Sequence, residues 1–320
     1  MRIARLAVPL AVLMAFSLAT SAQTPAPRQP PPLTMVWAAK PDASPFVAPN
    51  KPWWKLSEIM AAHRGEKNWS EPLVKDPAGG LNATYFQMAP GEKTKPMLYA
   101  DTSIFWVVEA GQIRFTIQGQ EPFVASKNFI VSVLPRTVFS METVGDQPSL
   151  RFEVSHSRST PLYPYSDTAP APVVGKTYRR MSFAGAPVAY GQGVKPYVDY
   201  DKEIAQAGGR PPGSFAHDSE TAANIIRGPG VPRPPDSDPG HIHDGSAEFF
   251  FVLEGHLSLL TEGVPFMADA TPGDVLYTPS GRFHRTAFAG DGMSGRISIH
   301  GIASSLNLLD PEHSAAAGGQ

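Results

Sequence analysis

The stretch PGHIHDGSAEFFFVLEG at residues 239–255 places chemically reactive side chains on two predicted strands. Residues two positions apart on a strand point to the same face, so His241 and His243 project together while Ile242 points the other way. The Asp-Gly-Ser that follows is typical of a turn. The apolar run after it predicts a buried returning strand, which begins near Glu248. This stretch therefore predicts two imidazoles and one carboxylate at one place.

A second stretch, GDVLYTPSGRFH at residues 273–284, adds a third imidazole. Its Gly and Pro residues predict a short strand between two turns, and His284 begins the next strand. If that strand lies beside the strand of His241, the three imidazoles converge. Three histidines and one carboxylate can hold a divalent ion and leave one or two coordination positions open, as a catalytic metal requires. We predict one metal ion per chain, held by His241, His243, Glu248 and His284.

These two stretches resemble the signature motifs of the cupin superfamily, G-x5-H-x-H-x4-E-x6-G and G-x5-P-x-G-x2-H. The second motif is matched in full, at Gly273, Pro279, Gly281 and His284. The first is matched from His241 to Gly255, but Pro235 stands where its leading glycine is expected. The resemblance implies an all-β fold of the cupin type, a double-stranded β-helix or jelly-roll barrel with a metal inside. The many short β-branched and aromatic runs from residue 82 onward agree with such a fold.

A weak internal repeat predicts that the chain contains this unit twice. Its two copies are 144 positions apart, and they pair Phe105 with Phe249, Val108 with Val252, Gly111 with Gly255, Pro135 with Pro279 and Phe139 with Phe283. The same offset places Met97, Tyr99, Ile104 and Ser140 at the ligand positions of the first copy. We therefore predict a bicupin. Its barrel 1 (residues 81–156) lacks metal ligands and serves as scaffold or holds a pocket, and its barrel 2 (residues 221–308) holds the metal.

The remaining segments are predicted from their composition. Residues 1–22 are typical of a secretory signal, because Arg2 and Arg5 precede an apolar run that is shorter than the roughly 20 residues of a membrane span. This predicts a periplasmic or secreted protein, with a membrane anchor as the alternative. Residues 23–80 are predicted to form a Pro-rich leader and an N-terminal arm lying over the first barrel. Residues 157–220 form a connecting segment partly packed on the barrels, and residues 309–320 a disordered tail.

Charge and composition narrow the classes of partner. The formal net charge is −2, which gives no basis for electrostatic capture of nucleic acid or, after signal cleavage, of a membrane surface. The chain has no cysteine, so thiol ligands and thiol nucleophiles are excluded. We expect a small-molecule substrate, and a homodimer is possible.

Four further residues are predicted to lie beside the metal or the substrate. Phe250 has the same strand parity as Glu248, and His300 lies on a strand whose polar face alternates with isoleucines. Tyr277 and Arg282 lie near the expected mouth of the site in sequence. For His300 an exposed strand face, and for Arg282 an ordinary surface position, stay open as alternatives.

The resemblance also implies a class of activity. Many cupins with these ligands are dioxygenases or other oxidoreductases that act on small enolic or phenolic molecules. We expect an exported, metal-dependent oxidoreductase of this kind, with Glu248 as catalytic base. A non-redox isomerase, lyase or decarboxylase and a non-catalytic metal-dependent binding protein are the alternatives. Mixed imidazole and carboxylate ligation suits Fe, Mn, Cu, Ni or Zn and leaves the metal undetermined.

Overall fold

The computed structural model describes residues 36, 38–165, 174–175, 177–184, 190, 195–207, 209, 214–217, 220–231, 240–301 and 305–307. The predicted signal peptide, nearly all of the Pro-rich stretch and the predicted tail lie outside these residues. Lys40–Gln320 forms one compact unit, and all elements named below belong to it. No helix in the described part of the chain is long and apolar enough to cross a membrane.

The first half of the chain begins with an arm and continues into the first barrel. The arm contains β1 (Trp53–Trp54) and α1 (Leu56–Ala62). The strands that follow are β2 (Trp69–Lys75), β3 (Leu81–Met88), β4 (Ile104–Ala110), β5 (Gln112–Ile117), β6 (Phe123–Ala125), β7 (Phe129–Val133), β8 (Phe139–Val144) and β9 (Ser149–His156).

The second half repeats this plan. The connecting segment contributes β10 (Tyr197–Asp199) and α2 (Tyr200–Gln206). The second barrel contains β11 (Ser214–His217), β12 (Thr221–Pro229), β13 (His241–His243), β14 (Glu248–Glu254), β15 (His256–Thr261), β16 (Ala268–Ala270), β17 (Val275–Thr278), β18 (His284–Ala289), β19 (Met293–Gly301) and β20 (Ser305–Asn307).

Each barrel consists of two antiparallel sheets. The first barrel combines a six-stranded sheet, β10-β7-β4-β9-β3-β2, with a three-stranded sheet, β6-β5-β8. The second combines β1-β17-β14-β19-β12-β11 with β16-β15-β18-β13-β20. The prediction of an all-β chain with two jelly-roll barrels is confirmed. Strands β2 and β11 lie outside the predicted bounds of the barrels, so each six-stranded sheet begins earlier in the chain than expected.

Strand alternation divides the apolar side chains among three cores. The six-stranded sheets bury one large core between them, in which Phe152 and Phe251 lie 4.9 Å apart between ring centroids. The opposite faces line the barrel interiors, with Trp106 in the first and Phe250 in the second. Burying one such aromatic side chain contributes roughly 1.5–3 kcal/mol. The shared core therefore joins the two barrels, whereas the interior of each barrel is filled mainly by that barrel's own side chains.

The N-terminal arm packs on both barrels, so the predicted position over the first barrel, where His63 stacks on β2, describes only part of its contacts. Trp53 pairs with Leu276, which makes β1 the edge strand of the sheet of the second barrel. The Asp274 carboxylate accepts hydrogen bonds from Trp53 Nε1 at 3.1 Å and from the backbone N–H of Leu56 at 2.8 Å. These contacts are tertiary and leave no local signal in the arm. In the first barrel, β10 of the connecting segment occupies the corresponding edge beside β7.

The structure also corrects the register of the repeat. Leu257 corresponds to Ile113 at the offset of 144. Leu257 pairs with Ala270 and Ile113 pairs with Ala125, so the partner strands correspond at an offset that is one residue larger. The extra residue lies in the loop between β15 and β16 (262–267), which is one residue longer than the loop between β5 and β6 (118–122). Two residues with positive φ, Asn128 and Arg136, accordingly correspond to two positive-φ glycines, Gly273 and Gly281.

This shift changes one of the four residues assigned to the ligand positions of the first barrel. His241 pairs with His284 in the second barrel, and in the first barrel Met97 bridges Phe139. The counterpart of His284 is therefore Phe139, and the earlier assignment to Ser140 was wrong because of the inserted loop residue. Phe139 offers no metal ligand either, so the expected asymmetry between the barrels is unaffected.

Candidate metal centre

Three strands bring the four predicted ligands together. His241 and His243 lie on β13 with Ile242 facing away, Glu248 begins β14, and His284 begins β18 directly opposite His241. One ligand atom of each residue lies within 4.8 Å of those of the others. Because β13 and β18 are hydrogen-bonded neighbours and β14 belongs to the facing sheet, the site closes one end of the second barrel's interior.

The distances fit a shared ion. Glu248 Oε2 lies 3.2 Å from His241 Nε2, 3.0 Å from His243 Nε2 and 2.7 Å from His284 Nε2. Metal bonds of about 2.1 Å place neighbouring ligand atoms roughly 3 Å apart. The second oxygen, Glu248 Oε1, accepts a hydrogen bond of 2.5 Å from Ser298 Oγ. Ser298 thereby fixes the carboxylate with Oε2 facing the three imidazoles.

The tautomer of His284 gives independent support for a cation. His284 Nδ1 lies 3.1 Å from the backbone oxygen of Arg282. A carbonyl oxygen only accepts, so Nδ1 carries the proton, and in the neutral ring Nε2 presents its lone pair. That lone pair faces Glu248 Oε2 at 2.7 Å, which places two acceptors against each other. The contact is favourable only with a cation between them or with a protonated ring. A backbone carbonyl that orients a histidine in this way is typical of metal sites.

The site is buried on one side and reachable on the other. Glu248 is 5% exposed and His284 is 2% exposed, whereas 30% of the His241 side chain is accessible. Burial raises the pKa of Glu248, but the three histidines around its carboxylate outweigh burial and hold that pKa well below its ordinary value. Glu248 is therefore ionised at neutral pH, and approach to the site is from the side of His241.

The ligand loop is held by the first barrel through Asp76. Asp76 is buried, and its Oδ2 accepts hydrogen bonds from Gly79 N at 2.9 Å and from Ala247 N at 3.1 Å, while Oδ1 accepts one from Ala78 N. Ala247 directly precedes Glu248. A Cβ added to Gly79 would lie 2.8 Å from Ser246 Cβ, so the two loops are in close contact. The sequence shows Asp76 only as part of a turn, and its link to Ala247 is visible only in the folded chain.

A surface cavity of about 530 Å³ lies beside these two loops. Its lining includes Gly79, Gly245 and the buried His156, whose Nε2 lies 2.6 Å from Glu220 Oε2. None of the four metal ligands lines this cavity. It therefore belongs to the seam between the barrels and is separate from the metal centre.

Two of the four predicted neighbours lie at the site. The His300 ring stacks on the His243 ring with centroids 4.8 Å apart. Phe250 lines the interior, with its ring centroid 6.2 Å from that of His284. Phe250 was predicted because it shares strand parity with Glu248. His300 was predicted because it lies on a polar strand face that alternates with isoleucines.

The other two predicted neighbours lie elsewhere. Tyr277 faces the core between the barrels, and its hydroxyl accepts a hydrogen bond of 3.3 Å from Asn50 Nδ2. Thr278, which pairs with Glu248, takes the inward position one residue later. Arg282 Nε donates to the backbone oxygen of Ser44 at 2.7 Å, so its side chain holds the N-terminal arm. Nearness in sequence did not place either side chain at the site.

Sequence reasoning also did not select Arg296 as a site residue. Its guanidinium lies inside the second barrel, 4.8 Å from the Phe250 ring centroid, and Nη1 donates to Thr286 Oγ1. Burial lowers the pKa of Arg296 to about 10, and the charge of Glu248 opposes that shift. The alternation of Arg296, Ser298 and His300 was the available signal. The interior next to the metal ligands thus contains a positive charge.

Comparison with known proteins agrees with this description. Residues 233–299 match the family model described as a cupin domain. The structure of salicylate 1,2-dioxygenase from Pseudaminobacter salicylatoxidans is similar with a TM-score of 0.54 and 13% identity, covering 90% of both chains. A variant of that enzyme in complex with gentisate gives a TM-score of 0.54 and 12% identity, covering 89% of this chain and 86% of the other. None of the curated proteins matches this chain.

At this level of identity the structural comparison establishes the fold alone. The chain has the cupin fold, in two jelly-roll barrels. More specifically, its second barrel contains the matched cupin domain and the His₃Glu group, as the motifs predicted, and its first barrel repeats the jelly-roll plan. Within the described residues, this is the group of His, Asp and Glu side chains that could hold a metal ion.

Proposed function

We propose that this protein is a metal-dependent enzyme, an oxidoreductase of the dioxygenase type that acts on a small enolic or phenolic substrate. The observation that carries the proposal is the convergence of three imidazole nitrogens on Glu248 Oε2 at 2.7–3.2 Å, a donor set that suits a divalent transition metal. His241, His243, Glu248 and His284 would hold the ion. Bound there, a redox-active transition metal would supply electron transfer between the substrate and O2.

The chain's own residues supply binding and proton transfer. Glu248 is the proposed base, a role in which its carboxylate leaves the ion to the three histidines: Oε2 then accepts the proton of an enol or phenol hydroxyl, while the hydrogen bond from Ser298 keeps Oε1 in place. Phe250 provides an aromatic wall for a planar substrate. His300, stacked on His243, limits the space beside the ligands. The fold shared with salicylate 1,2-dioxygenase supports this class by analogy and does not indicate the substrate.

Metal analysis followed by turnover assays tests this function. Purified protein should contain about one transition-metal ion per chain and consume O2 with a member of a panel of phenols and enols. His284→Ala, which removes one ligand, should abolish both. Turnover that proceeds equally without O2 would replace the proposal by a non-redox isomerase, lyase or decarboxylase. Stoichiometric metal without turnover of any panel member would favour a binding protein.

We also propose that the protein is exported, on the strength of the signal-like sequence of residues 1–22 alone. Cell fractionation tests this. A periplasmic or extracellular product that begins after residue 22 supports export, whereas a full-length cytoplasmic product contradicts it.

A further inference from the structure

The interior of the first barrel contains a polar cluster that the proposed function does not use. Arg151 is 5% exposed, and its Nε and Nη1 atoms have no hydrogen-bond partner among the residues that the structure describes. Glu153, two residues farther along β9, points to the same side. Its Oε2 accepts a hydrogen bond of 2.6 Å from Trp106 Nε1. A buried guanidinium with unpaired N–H groups is costly and needs a compensating partner.

This cluster corresponds to the residues that lie beside the metal centre in the second barrel. Trp106 pairs with Glu153 across β4 and β9, as Phe250 pairs with Ser298 across β14 and β19. Glu153 therefore takes the position of Ser298, the residue that donates a hydrogen bond to the metal-binding carboxylate of the second barrel. The surrounding ligand positions hold Met97, Tyr99, Ile104 and Phe139, which belong to the apolar core of the first barrel or pack against it.

The charges in this interior are incompletely matched. Among the described residues, no carboxylate lies within ion-pair distance of Arg151, and the Phe86 ring lies 4.9 Å from its guanidinium carbon. A ring at this distance makes a cation–π contact and does not supply the hydrogen-bond acceptor that the guanidinium N–H groups require. Burial raises the pKa of Glu153, and the charge of Arg151 opposes that rise. Tyr99 lies within electrostatic range of both charges.

A purely structural arginine would make different contacts. Arg296 pairs with Val252 in the second barrel as Arg151 pairs with Val108 in the first, so the two arginines are equivalent in the repeat. Arg296 Nη1 donates to Thr286, although Nε also lacks a partner. Thr286 corresponds to Met141, which cannot replace that acceptor. The first barrel therefore has an arginine at the same position but lacks the hydroxyl group that accepts its hydrogen bond in the second barrel.

We propose that the interior of the first barrel is a metal-independent binding site for a small organic acid that also carries a hydroxyl or amino donor. The carboxylate of the ligand accepts from the Arg151 edge, which suits bidentate pairing. The hydroxyl or amine donates to Glu153. The apolar body lies against Met97 and Tyr99, the partly buried side chains at the edge of this core. This site does not depend on the metal centre, and either can exist without the other.

Binding of 2-hydroxybenzoate to metal-free protein tests the proposal. The His284→Ala variant, treated with chelator, removes metal-dependent binding in the second barrel. Calorimetry should show one 2-hydroxybenzoate per chain, with a dissociation constant on the order of 0.1–1 mM. The neutral analogue 2-hydroxybenzyl alcohol should bind at least tenfold more weakly. The intrinsic tryptophan fluorescence should change on binding, and Trp106→Phe should remove that change.

Variants of the cluster decide the outcome. Arg151→Met keeps the length and apolar stem of the side chain and should weaken 2-hydroxybenzoate at least tenfold. Arg296→Met is the matched control and should leave binding within twofold. If Arg151→Met fails to fold, Arg151→Lys, which lacks the planar fork, should still show a severalfold loss. No binding at about 10 mM, equal binding of the neutral analogue, or a loss confined to Arg296→Met would overturn the proposal.

Discussion

The two barrels share one scaffold and differ in what fills it. In the second barrel, three histidines and Glu248 converge at one end of the interior. In the first, the equivalent positions hold Met97, Tyr99, Ile104 and Phe139, packed in or against an apolar core. The six-stranded sheets have the same strand order and the positive-φ turn positions correspond, whereas the smaller sheet of the second barrel adds β13 and β20 to the three strands found in the first. The fold therefore does not require a metal, and the metal centre depends on four side chains placed on an already stable framework.

The largest effect is expected from removing a ligand of the second barrel. His284→Ala or His241→Ala should weaken metal binding about a hundredfold or more, so that the purified variant contains nearly no metal. Elemental analysis and calorimetry measure this. His256→Ala is the control, because His256 is exposed and contacts Asp269 away from the site. Variants of both ligands that retain full metal would show that the His₃Glu group is not a metal centre.

A second test installs the missing ligands in the first barrel. Met97→His, Tyr99→His, Ile104→Glu and Phe139→His together should let the chain bind a second ion, because these positions match the ligands in the structural register. A parallel set with Ser140→His in place of Phe139→His should not, since residue 140 points to the other face. Metal stoichiometry after refolding with excess metal reports the result. Equal metal in both sets would contradict the corrected register.

A smaller effect is expected at the seam between the barrels. Asp76→Ala removes three hydrogen bonds, one of them to the residue before Glu248, and should lower stability by about 2–3 kcal/mol. Metal affinity should fall about tenfold, because Glu248 loses its fixed position. Asp76→Asn keeps one acceptor oxygen and should retain part of the stability and part of the metal affinity. A destabilised variant with unchanged metal affinity would show that Asp76 supports the fold alone.

The smallest effect concerns the charge inside the first barrel. Burial raises the pKa of Glu153 above its ordinary value of 4.5, so the folded state keeps this proton to higher pH than the unfolded state. The free energy of unfolding should therefore fall as pH rises above about 4.5. Glu153→Gln removes this dependence and should stabilise the protein by about 1 kcal/mol at neutral pH, with little change at pH 4. Chemical denaturation across pH measures both. A variant that is less stable at neutral pH would contradict a buried, strained carboxylate.

The metal centre could be predicted from sequence because its ligands are tied to short-range spacing. His241 and His243 lie two residues apart on one strand, and a single turn separates them from Glu248. Strand parity alone then predicts that these side chains converge. The same reasoning placed Phe250 correctly. Tyr277 was misplaced because its parity is set by the pairing of Thr278 with Glu248, a partner 30 residues away.

The other errors also arose from information that is not local. One extra residue in the loop at 262–267 shifted the repeat after β15, and the chance pairs of Pro135 with Pro279 and Phe139 with Phe283 concealed the shift. The contact of the arm with the second barrel was missed because the arm directly precedes the first barrel in the chain. That contact depends on Asp274, whose role appears only in the folded protein.

The position of β1 has a consequence for the order in which the chain assembles. Trp53 and Asp274 are bonded although they are 221 residues apart, so the edge of the second barrel closes only after nearly the whole chain has been synthesised. Until then β17 presents unpaired backbone groups, which readily pair with strands of other molecules. A fragment that begins at residue 221 would contain every metal ligand and still lack its own edge strand. The second barrel is therefore expected to aggregate when produced alone, and residues 40–62 would close its edge but leave its face of the shared core uncovered.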